Sequence, residues 1–299
     1  MCYALVALLT TIMGSDQPII APGATLHKIS GGFRFTEGPA TDRDGNVYFT
    51  DQPNDRIVRW SVDGTVEDWM KPCGRSNGMC FDKAGNLIAC ADEHNQLWSI
   101  TPDKQVTVLI KDAGGKLLDG PNDVWIRPDG GMYLTDPLYA RDYWTRDPAV
   151  QQTGEHVWFL SADHKTFRPV VTDFNKPNGI IGTPDGHTLY IADIGANKTW
   201  RYRIEADGSL TDKTLFCELG SDGMTIDNRG NVYLTGHGVT VFNSEGKQIE
   251  HIDVPENWTG NITFAGKDRT LLFMTASTSI YSMQMLVHGV GPRAGWYRG

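Results

Sequence analysis

Short hydrophobic runs alternate with turn residues along almost the whole chain. A typical unit begins with an apolar run, passes through a turn such as Asp-Gly or Ala-Gly-Asn, and returns in a second run rich in Val, Ile, Leu, Tyr and Phe. This order is the short-range signal for two antiparallel strands joined by a tight turn. Further β-prone segments follow the second run, so we expect each unit to hold about four strands.

The unit returns six times, at intervals of 39 to 56 residues. Repeats of roughly 40 to 50 residues, each made of short strands, are typical of radial β architectures. One such sheet cannot bury both its faces alone, whereas neighbouring sheets packed around an axis can. The pattern therefore predicts an all-β fold, a six-bladed β-propeller around a central channel.

Each unit begins with a residue that can hold a metal or a hydrogen bond, and equivalent positions of the blades should form a ring at one mouth of the channel. The six first residues are Glu37, Asn77, Asn122, Asn178, Asp222 and Asn261. Two carboxylates and four carboxamides suit a hard cation such as Ca²⁺ or Mg²⁺, so we expect the central channel to bind metal. For any single position, an Asx turn at the start of a strand is an equal alternative.

An open site of this kind can act as a Lewis acid on an ester or lactone carbonyl. Hydrolysis also needs a base or a nucleophile. Asp222, both a carboxylate and an expected metal ligand, is the first candidate for this catalytic role. The sequence leaves open whether Asp222 activates water or attacks the carbonyl.

Three motifs carry a resemblance to a known family. The stretches Thr-Glu37-Gly-Pro, Pro-Asn178-Gly and Ser-Asp222-Gly-Met each open a hairpin, in this order. From about residue 30 to about residue 285, the chain is similar to the senescence marker protein / gluconolactonase / luciferin-regenerating-enzyme (regucalcin-like) family of six-bladed calcium-type propellers. The resemblance implies that these three residues hold one divalent metal, with Asn122 beside it as a fourth ligand or a substrate contact. It does not assign Asn77 or the Asn of the sixth unit, for which we expect a turn or channel hydrogen bond.

The resemblance also implies a metal-dependent hydrolase of small cyclic esters, a sugar lactonase of the gluconolactonase kind. Ca²⁺ is the expected metal, although Mg²⁺, Mn²⁺ and Zn²⁺ accept similar ligands. One departure concerns the sugar: some sugar-binding relatives carry Arg two residues before the position of Asn122, where this chain has Gly120. Two alternatives stay open, a phosphotriesterase-type organophosphate hydrolase and a non-catalytic ligand-binding propeller braced by calcium.

A long insertion between residues 136 and 156 mixes polar and aromatic residues with two arginines. Long loops in compact domains often serve as lids or binding elements, and aromatic faces suit sugar rings. We expect Arg141, Tyr143 and Trp144 to form a lid or wall over the metal and to contact substrate. A surface loop that packs its own aromatic residues is the alternative.

Two histidines and four aspartates follow strands at regular places in the repeats. His237 is a candidate substrate contact or proton shuttle, with an ordinary hydrogen-bonded histidine as the alternative, and His94 is a weaker candidate. The aspartates close four of the hairpins at matching positions, which favours a structural role as acceptors of turn or strand hydrogen bonds. They are Asp51, Asp92, Asp136 and Asp193.

Composition agrees with one enzyme domain, predicted over residues 21–299. The chain has 299 residues, 40% of them hydrophobic, with 33 Gly and 15 Pro to supply many turns. A net charge of −9 argues against nucleic acid as a partner, because phosphate binding needs a basic face. A small lactone or ester is the expected partner, and the sequence is silent on oligomeric state.

Residues 1–20 lie before the repeats and contain an apolar run from Cys2 to Met13. The run has the length of a signal-peptide core and is too short to span a membrane, but no Lys or Arg precedes it. The protein is therefore expected to be periplasmic or secreted if the run is a signal peptide, and cytoplasmic otherwise. We also expect residues 24–29 to pair with the last repeat and close the ring. Cys80 and Cys90 stand on the two arms of one hairpin, where a bridge is possible and free thiols are the default.

Overall fold

The computed structural model describes residues 17–291, and within that range the chain forms six four-stranded antiparallel sheets. The sheets follow one another along the sequence, as the six repeats predict, and make up a six-bladed β-propeller. In each blade the first strand lies innermost and the next three follow outward. The apolar run from Cys2 to Met13 lies outside the described residues, so its role as a signal peptide stays a prediction.

The strands are short, and their bounds follow the blades. The first strand of the described chain is β1 His27–Gly31. Blade 1 holds β2 Thr36–Thr41, β3 Val47–Asp51, β4 Arg56–Trp60 and β5 Val66–Met70. Blade 2 holds β6 Ser76–Phe81, β7 Leu87–Ala91, β8 Gln96–Ile100 and β9 Val106–Ile110. Blade 3 holds β10 Val124–Ile126, β11 Met132–Asp136, β12 His156–Leu160 and β13 Phe167–Val171.

Blades 4 to 6 repeat the arrangement. Blade 4 holds β14 Pro177–Gly182, β15 Thr188–Asp193, β16 Lys198–Ile204 and β17 Leu210–Cys217. Blade 5 holds β18 Met224–Ile226, β19 Val232–Gly236, β20 Gly238–Phe242 and β21 Gln248–Ile252. Blade 6 holds β22 Thr259–Ala265, β23 Leu271–Ala276 and β24 Ser279–Gln284. Single turns of 3₁₀-helix cover Gln52–Asn54, Asp92–His94 and Ile194–Ala196.

The ring is closed by strands from the two ends of the propeller. β1 supplies the outermost strand of blade 6 by pairing antiparallel with β24, with His27 opposite Ser282. This confirms the predicted closure by the N-terminal stretch, although β1 contacts β24 alone and β23 lies on the far side of β24. Sharing one blade between distant parts of the sequence ties the first repeat to the last.

The hydrophobic core lies between the blades. Each of six buried clusters joins two neighbouring sheets: Phe49 of blade 1 packs with Phe273 of blade 6, for example, and Tyr133 of blade 3 packs with Ile180 of blade 4. Burying both faces of each sheet in this way removes apolar area from water, and that is the main stabilising term of the fold. The innermost strands of the six blades line the central channel.

Among the described residues, no helix has the length and apolar character needed to cross a membrane. The four cysteines in this range are free thiols. Cys80 pairs across the hairpin with Ile88, and Cys90 pairs on its other side with Leu97. The two sulfur atoms therefore belong to different cross-strand pairs, and the default prediction of free thiols is confirmed.

Candidate metal centre at the mouth of the channel

The six first residues of the repeats meet around the channel because glycines let the innermost strands approach closely. A methyl group on Gly38 would lie 2.0 Å from the carbonyl oxygen of Asn77, and one on Gly179 would lie 2.7 Å from that of Asp222. Side chains larger than hydrogen do not fit at such distances. Where Gly follows a ring residue, it therefore allows close contact between neighbouring blades, whether or not it also forms a turn.

The two carboxylates of the ring, Glu37 and Asp222, have a third near them, that of Asp123, and none of the three forms an ion pair among the described residues. Burial raises the pKa of Glu37 well above its usual range, and the charges of Asp222 and Asp123 raise it further. Burial also raises the pKa of Asp123 to about 7 and that of Asp222 to about 6. A bound cation would relieve this repulsion and favour the ionised carboxylates.

The carboxamide oxygens of the ring supply further ligands. Within the described part of the chain, the buried Oδ1 atoms of Asn77 and Asn178 have no hydrogen-bond partner. The Nδ2 of Asn178 donates to the hydroxyl of Tyr139 at 3.0 Å, and the same carboxamide opposes the rise in the pKa of Asp222. The oxygen of Asn178 is left for a cation, since buried polar atoms are rarely left unpaired.

The other carboxamides behave differently. The Oδ1 of Asn261 accepts the N–H of Ile262 at 2.8 Å, and its carboxamide opposes the rise in the pKa of Glu37 and of Asp123. The hydrogen bond expected for Asn261 is therefore present as a local contact with the next residue. Asn77 differs from that expectation, because its oxygen meets no donor. Asn122 is buried at the ring, and its backbone carbonyl accepts the N–H of Gly78 at 2.6 Å.

The donor set fits a hard cation. Across residues 17–291, no three His, Cys, Asp or Glu side chains form a metal-binding group by themselves, so carboxamide oxygens would have to complete the ligand set. The ring instead combines two carboxylates, from Glu37 and Asp222, with carboxamide oxygens such as that of Asn178. Oxygen-only ligand sets of this kind suit Ca²⁺ and Mg²⁺.

An indole from the loop before blade 6 contacts the ring. The Nε1 of Trp258 donates to Oδ2 of Asp222 at 2.6 Å. His237 is exposed, and its ring lies edge-on to Trp258 with centroids 5.2 Å apart. The structure therefore brings His237 to the same mouth, with the indole between it and Asp222.

The long loop between β11 and β12 lies at this mouth, and its polar atoms converge on Asp92. The Nε of Arg141 lies 3.0 Å from Oδ2 of this buried aspartate, the hydroxyl of Tyr143 donates to the same oxygen, and the Nε1 of Trp144 donates to its carbonyl at 2.9 Å. Arg141 also lies near enough to Asp222 to lower its pKa. The hydrogen-bonding groups of Tyr143 and Trp144 thus hold the loop in place, while Tyr139 reaches Asn178.

The loop also fills the space beside Gly120. A side chain there would meet the ring of Trp144 at 3.3 Å, Oδ1 of Asp92 at 3.3 Å and the carbonyl of Pro137 at 3.1 Å. A larger side chain at this position would require the loop to shift. Gly120, where some sugar-binding relatives have Arg, therefore stands in close contact with the loop.

Sequence reasoning missed three residues of the mouth: Asp123, Tyr139 and Trp258. A signal existed for Asp123, because it follows the ring residue of its repeat at the position where four other repeats have Gly. Nothing local distinguishes Trp258, whose contact depends on the packing of blade 5 against blade 6. Below the ring, the channel continues as a cavity of about 190 Å³ lined mainly by apolar side chains such as Met79 and Phe264.

The fold and this ring define a six-bladed propeller with an oxygen-rich site at one mouth. A family model described as the SMP-30/gluconolactonase/LRE-like region matches residues 35–278, and the chain belongs to that family.

Relatives and solved structures agree with this assignment. A gluconolactonase from Zymomonas mobilis is 25% identical over 301 residues, which cover 91% of this chain and 84% of the relative. The structure of XC5397 from Xanthomonas campestris, described as a gluconolactonase, superposes with a TM-score of 0.82 at 25% identity, over 90% of this chain and 95% of that one. Regucalcin from Agrobacterium tumefaciens, described as a calcium-binding protein, shares the fold with a TM-score of 0.73 at 17% identity, over 92% of this chain and 98% of that one.

Proposed function

We propose that the protein is a metal-dependent lactonase that opens small cyclic esters of sugars, with Ca²⁺ as its metal. The observation that carries the proposal is the ring itself, in which the carboxylates of Glu37, Asp123 and Asp222 are crowded together without an ion-pair partner among the described residues. The names of the Zymomonas relative and of the Xanthomonas protein supply the substrate class. The description of the Agrobacterium regucalcin as a calcium-binding protein supports the choice of metal.

Glu37, Asn178 and Asp222 would hold the metal, with Asn122 beside them as a fourth ligand or a substrate contact. A divalent cation in such a site acts as a Lewis acid on the carbonyl of the lactone. Asp222 is the candidate to take the proton of the attacking water, because its carboxylate lies at the proposed metal site and the N–H of Trp258 holds one of its oxygens. A bond forms between the water oxygen and the carbonyl carbon, the ring C–O bond breaks, and the proton passes to the departing ring oxygen.

The surrounding residues shape the site. Arg141 is the cation that acts on Asp222, and the loop that carries it is fixed by Tyr143 and Trp144. Together with His237, which packs on Trp258, these residues would form the walls against which the substrate lies. A fixed wall orients the lactone toward the attacking water, and such orientation accelerates hydrolysis.

The test is hydrolysis of glucono-δ-lactone by chelated protein after re-addition of Ca²⁺, Mg²⁺, Mn²⁺ or Zn²⁺, followed as acid release. We expect at least one metal, Ca²⁺ first, to restore turnover. Asp222→Asn should lower kcat by about a thousandfold or more while the protein stays folded. Asp63→Asn, at an exposed hairpin turn of blade 1, is the matched control and should keep full activity.

Three results would overturn the proposal. Folded protein that is inactive with every metal would exclude this substrate class. Turnover of activated phosphotriesters in preference to any lactone would indicate a phosphotriesterase. A metal that raises the melting temperature without turnover of either substrate would indicate a binding propeller.

A further inference from the structure

Blade 5 lacks a residue that four other blades have. The second strand ends in Asp or is followed by Asp in blades 1 to 4, whereas in blade 5 it ends in Gly236. The indole of Trp258 lies over this glycine, and a methyl group on Gly236 would already stand 3.5 Å from its ring. The missing side chain makes room for an aromatic residue from the neighbouring blade.

Trp258 is held firmly in this place. Its backbone N–H donates to Oγ of Ser277 at 3.2 Å, and the same hydroxyl donates to its carbonyl at 3.0 Å. The ring of His237 packs against the indole in a T-shaped pair. The backbone and the ring of Trp258 are both fixed. The indole N–H therefore points in one direction, toward Oδ2 of Asp222, to which it donates a hydrogen bond at 2.6 Å.

We propose that Trp258 is a positioning residue for Asp222, one that fixes the orientation of the carboxylate for metal binding and for proton transfer. A hydrogen bond to an ionised acceptor is short and strong, and it restricts the rotation of the carboxylate. Holding a ligand in place before the metal arrives raises affinity, because less freedom is lost on binding. This inference rests on the proposed role of Asp222. It adds that Trp258 aligns the carboxylate of Asp222 and that Gly236 leaves space for the indole.

The informative variant is Trp258→Phe, which keeps an aromatic ring over Gly236 but removes the N–H. Trp98→Phe is the matched control, since it removes an indole that donates to Oε1 of Gln96 at 2.7 Å in blade 2, outside the ring. Metal affinity is measured by calorimetry and turnover by lactone hydrolysis. Tryptophan fluorescence during metal titration provides a third readout.

In Trp258→Phe we expect metal affinity to fall about tenfold and kcat to fall with little change in KM. The metal-dependent change in fluorescence should become smaller, because the indole that contacts Asp222 is gone. Trp98→Phe should match the wild type in affinity, kcat and the metal-dependent signal. A role as a mere wall for substrate would raise KM and leave metal affinity unchanged.

The outcomes separate this inference from the lactonase proposal. Wild-type affinity and kcat in Trp258→Phe, in an active lactonase, would overturn the positioning role alone. Weakened metal binding in Trp258→Phe, in a protein that hydrolyses no lactone, would overturn the lactonase and keep the positioning role. A wild-type protein that binds no metal would overturn both.

Discussion

Aspartates at the same place in neighbouring blades are used in two ways. In blade 1, Asp51 accepts the N–H groups of Arg34 and Phe35, the residues three and two positions before Glu37. Asp136 and Asp193 do the same for the residues three and two positions before Asn122 and Asn178. These three aspartates brace their own blade where the chain enters the ring.

Blade 2 departs from this arrangement. The segment before Asn77 is braced by Asp55 of blade 1, whose Oδ1 accepts the N–H groups of Cys73 and Arg75 at 2.9 and 2.8 Å. Asp92 is therefore not needed to brace this segment. It binds instead the loop of blade 3 that forms the wall of the site. One repeated position thus serves stability in three blades and the geometry of the mouth in another.

Asp51→Ala removes one of the bracing aspartates and should have the largest effect on stability. The change removes the acceptor of two backbone N–H groups and of Nε and Nη2 of Arg56, whose Nη1 keeps its bond to Asp68. Partly buried polar groups that lose their partners cost stability, so the free energy of unfolding should fall by about 3 kcal/mol. Urea unfolding monitored by fluorescence measures it. Asp63→Ala, at an exposed turn of the same blade, should unfold like the wild type, and a similar loss there would contradict the bracing role.

Asp92→Asn tests the aspartate that holds the loop at the mouth of the channel. Asn keeps the shape but lacks the charge and one acceptor, so Arg141 and Tyr143 lose their common anchor. A displaced wall should lower kcat/KM for the lactone by about tenfold. Stability should change by less than about 1 kcal/mol, because burial already makes the ionised Asp92 costly.

The control for this variant is Asp103→Asn, at the exposed hairpin turn of the same blade. It should retain full kcat/KM. If Asp92→Asn kept full activity, or lost stability as heavily as Asp51→Ala, the division between the two kinds of aspartate would be wrong.

The sequence was sufficient for the fold because its signals are local. Hairpin turns such as Asp42 to Gly45 depend on a few adjacent residues, and six of them at regular spacing leave a propeller as the consistent arrangement. The bracing role of Asp51, Asp136 and Asp193 was likewise visible in their regular positions, whereas the same expectation was wrong for Asp92. This difference was not visible, because the role of Asp92 depends on Asp55 in another blade.

The site was predictable in outline only. The ring residues stand at the start of each repeat and could be read from the pattern, and Asp123 left a signal by replacing a glycine. The contacts of Tyr139 with Asn178 and of Trp258 with Asp222 join residues about 36 to 39 positions apart in different blades, where no periodicity applies. Loop packing decides such contacts, so Tyr139 and Trp258 were missed, and Arg141, Tyr143 and Trp144 could be named as candidates without their partners.

The pH dependence of stability should also differ between Asp51 and Asp92, although the effect is smaller. Burial alone would raise the pKa of Asp51, but its hydrogen bonds from Asn54, Arg34 and Arg56 outweigh this and lower it. Asp51 therefore adds stability above its unfolded pKa of about 3.9, and the gain is lost as the pH falls through the folded value.

Asp92 has the opposite sign. Burial raises its pKa despite Arg141 and Tyr143, so its contribution is present below about pH 3.9 and is lost as the pH rises through the folded value. In chelated protein, Asp92→Asn should therefore gain stability relative to the wild type as the pH rises from about 4 to 7. Asp51→Asn should show no such gain, and its deficit should shrink only below about pH 4. Urea unfolding across this range measures the free energy of unfolding of each variant as a function of pH. The same pH dependence in both variants would show that the two aspartates do not differ in this way.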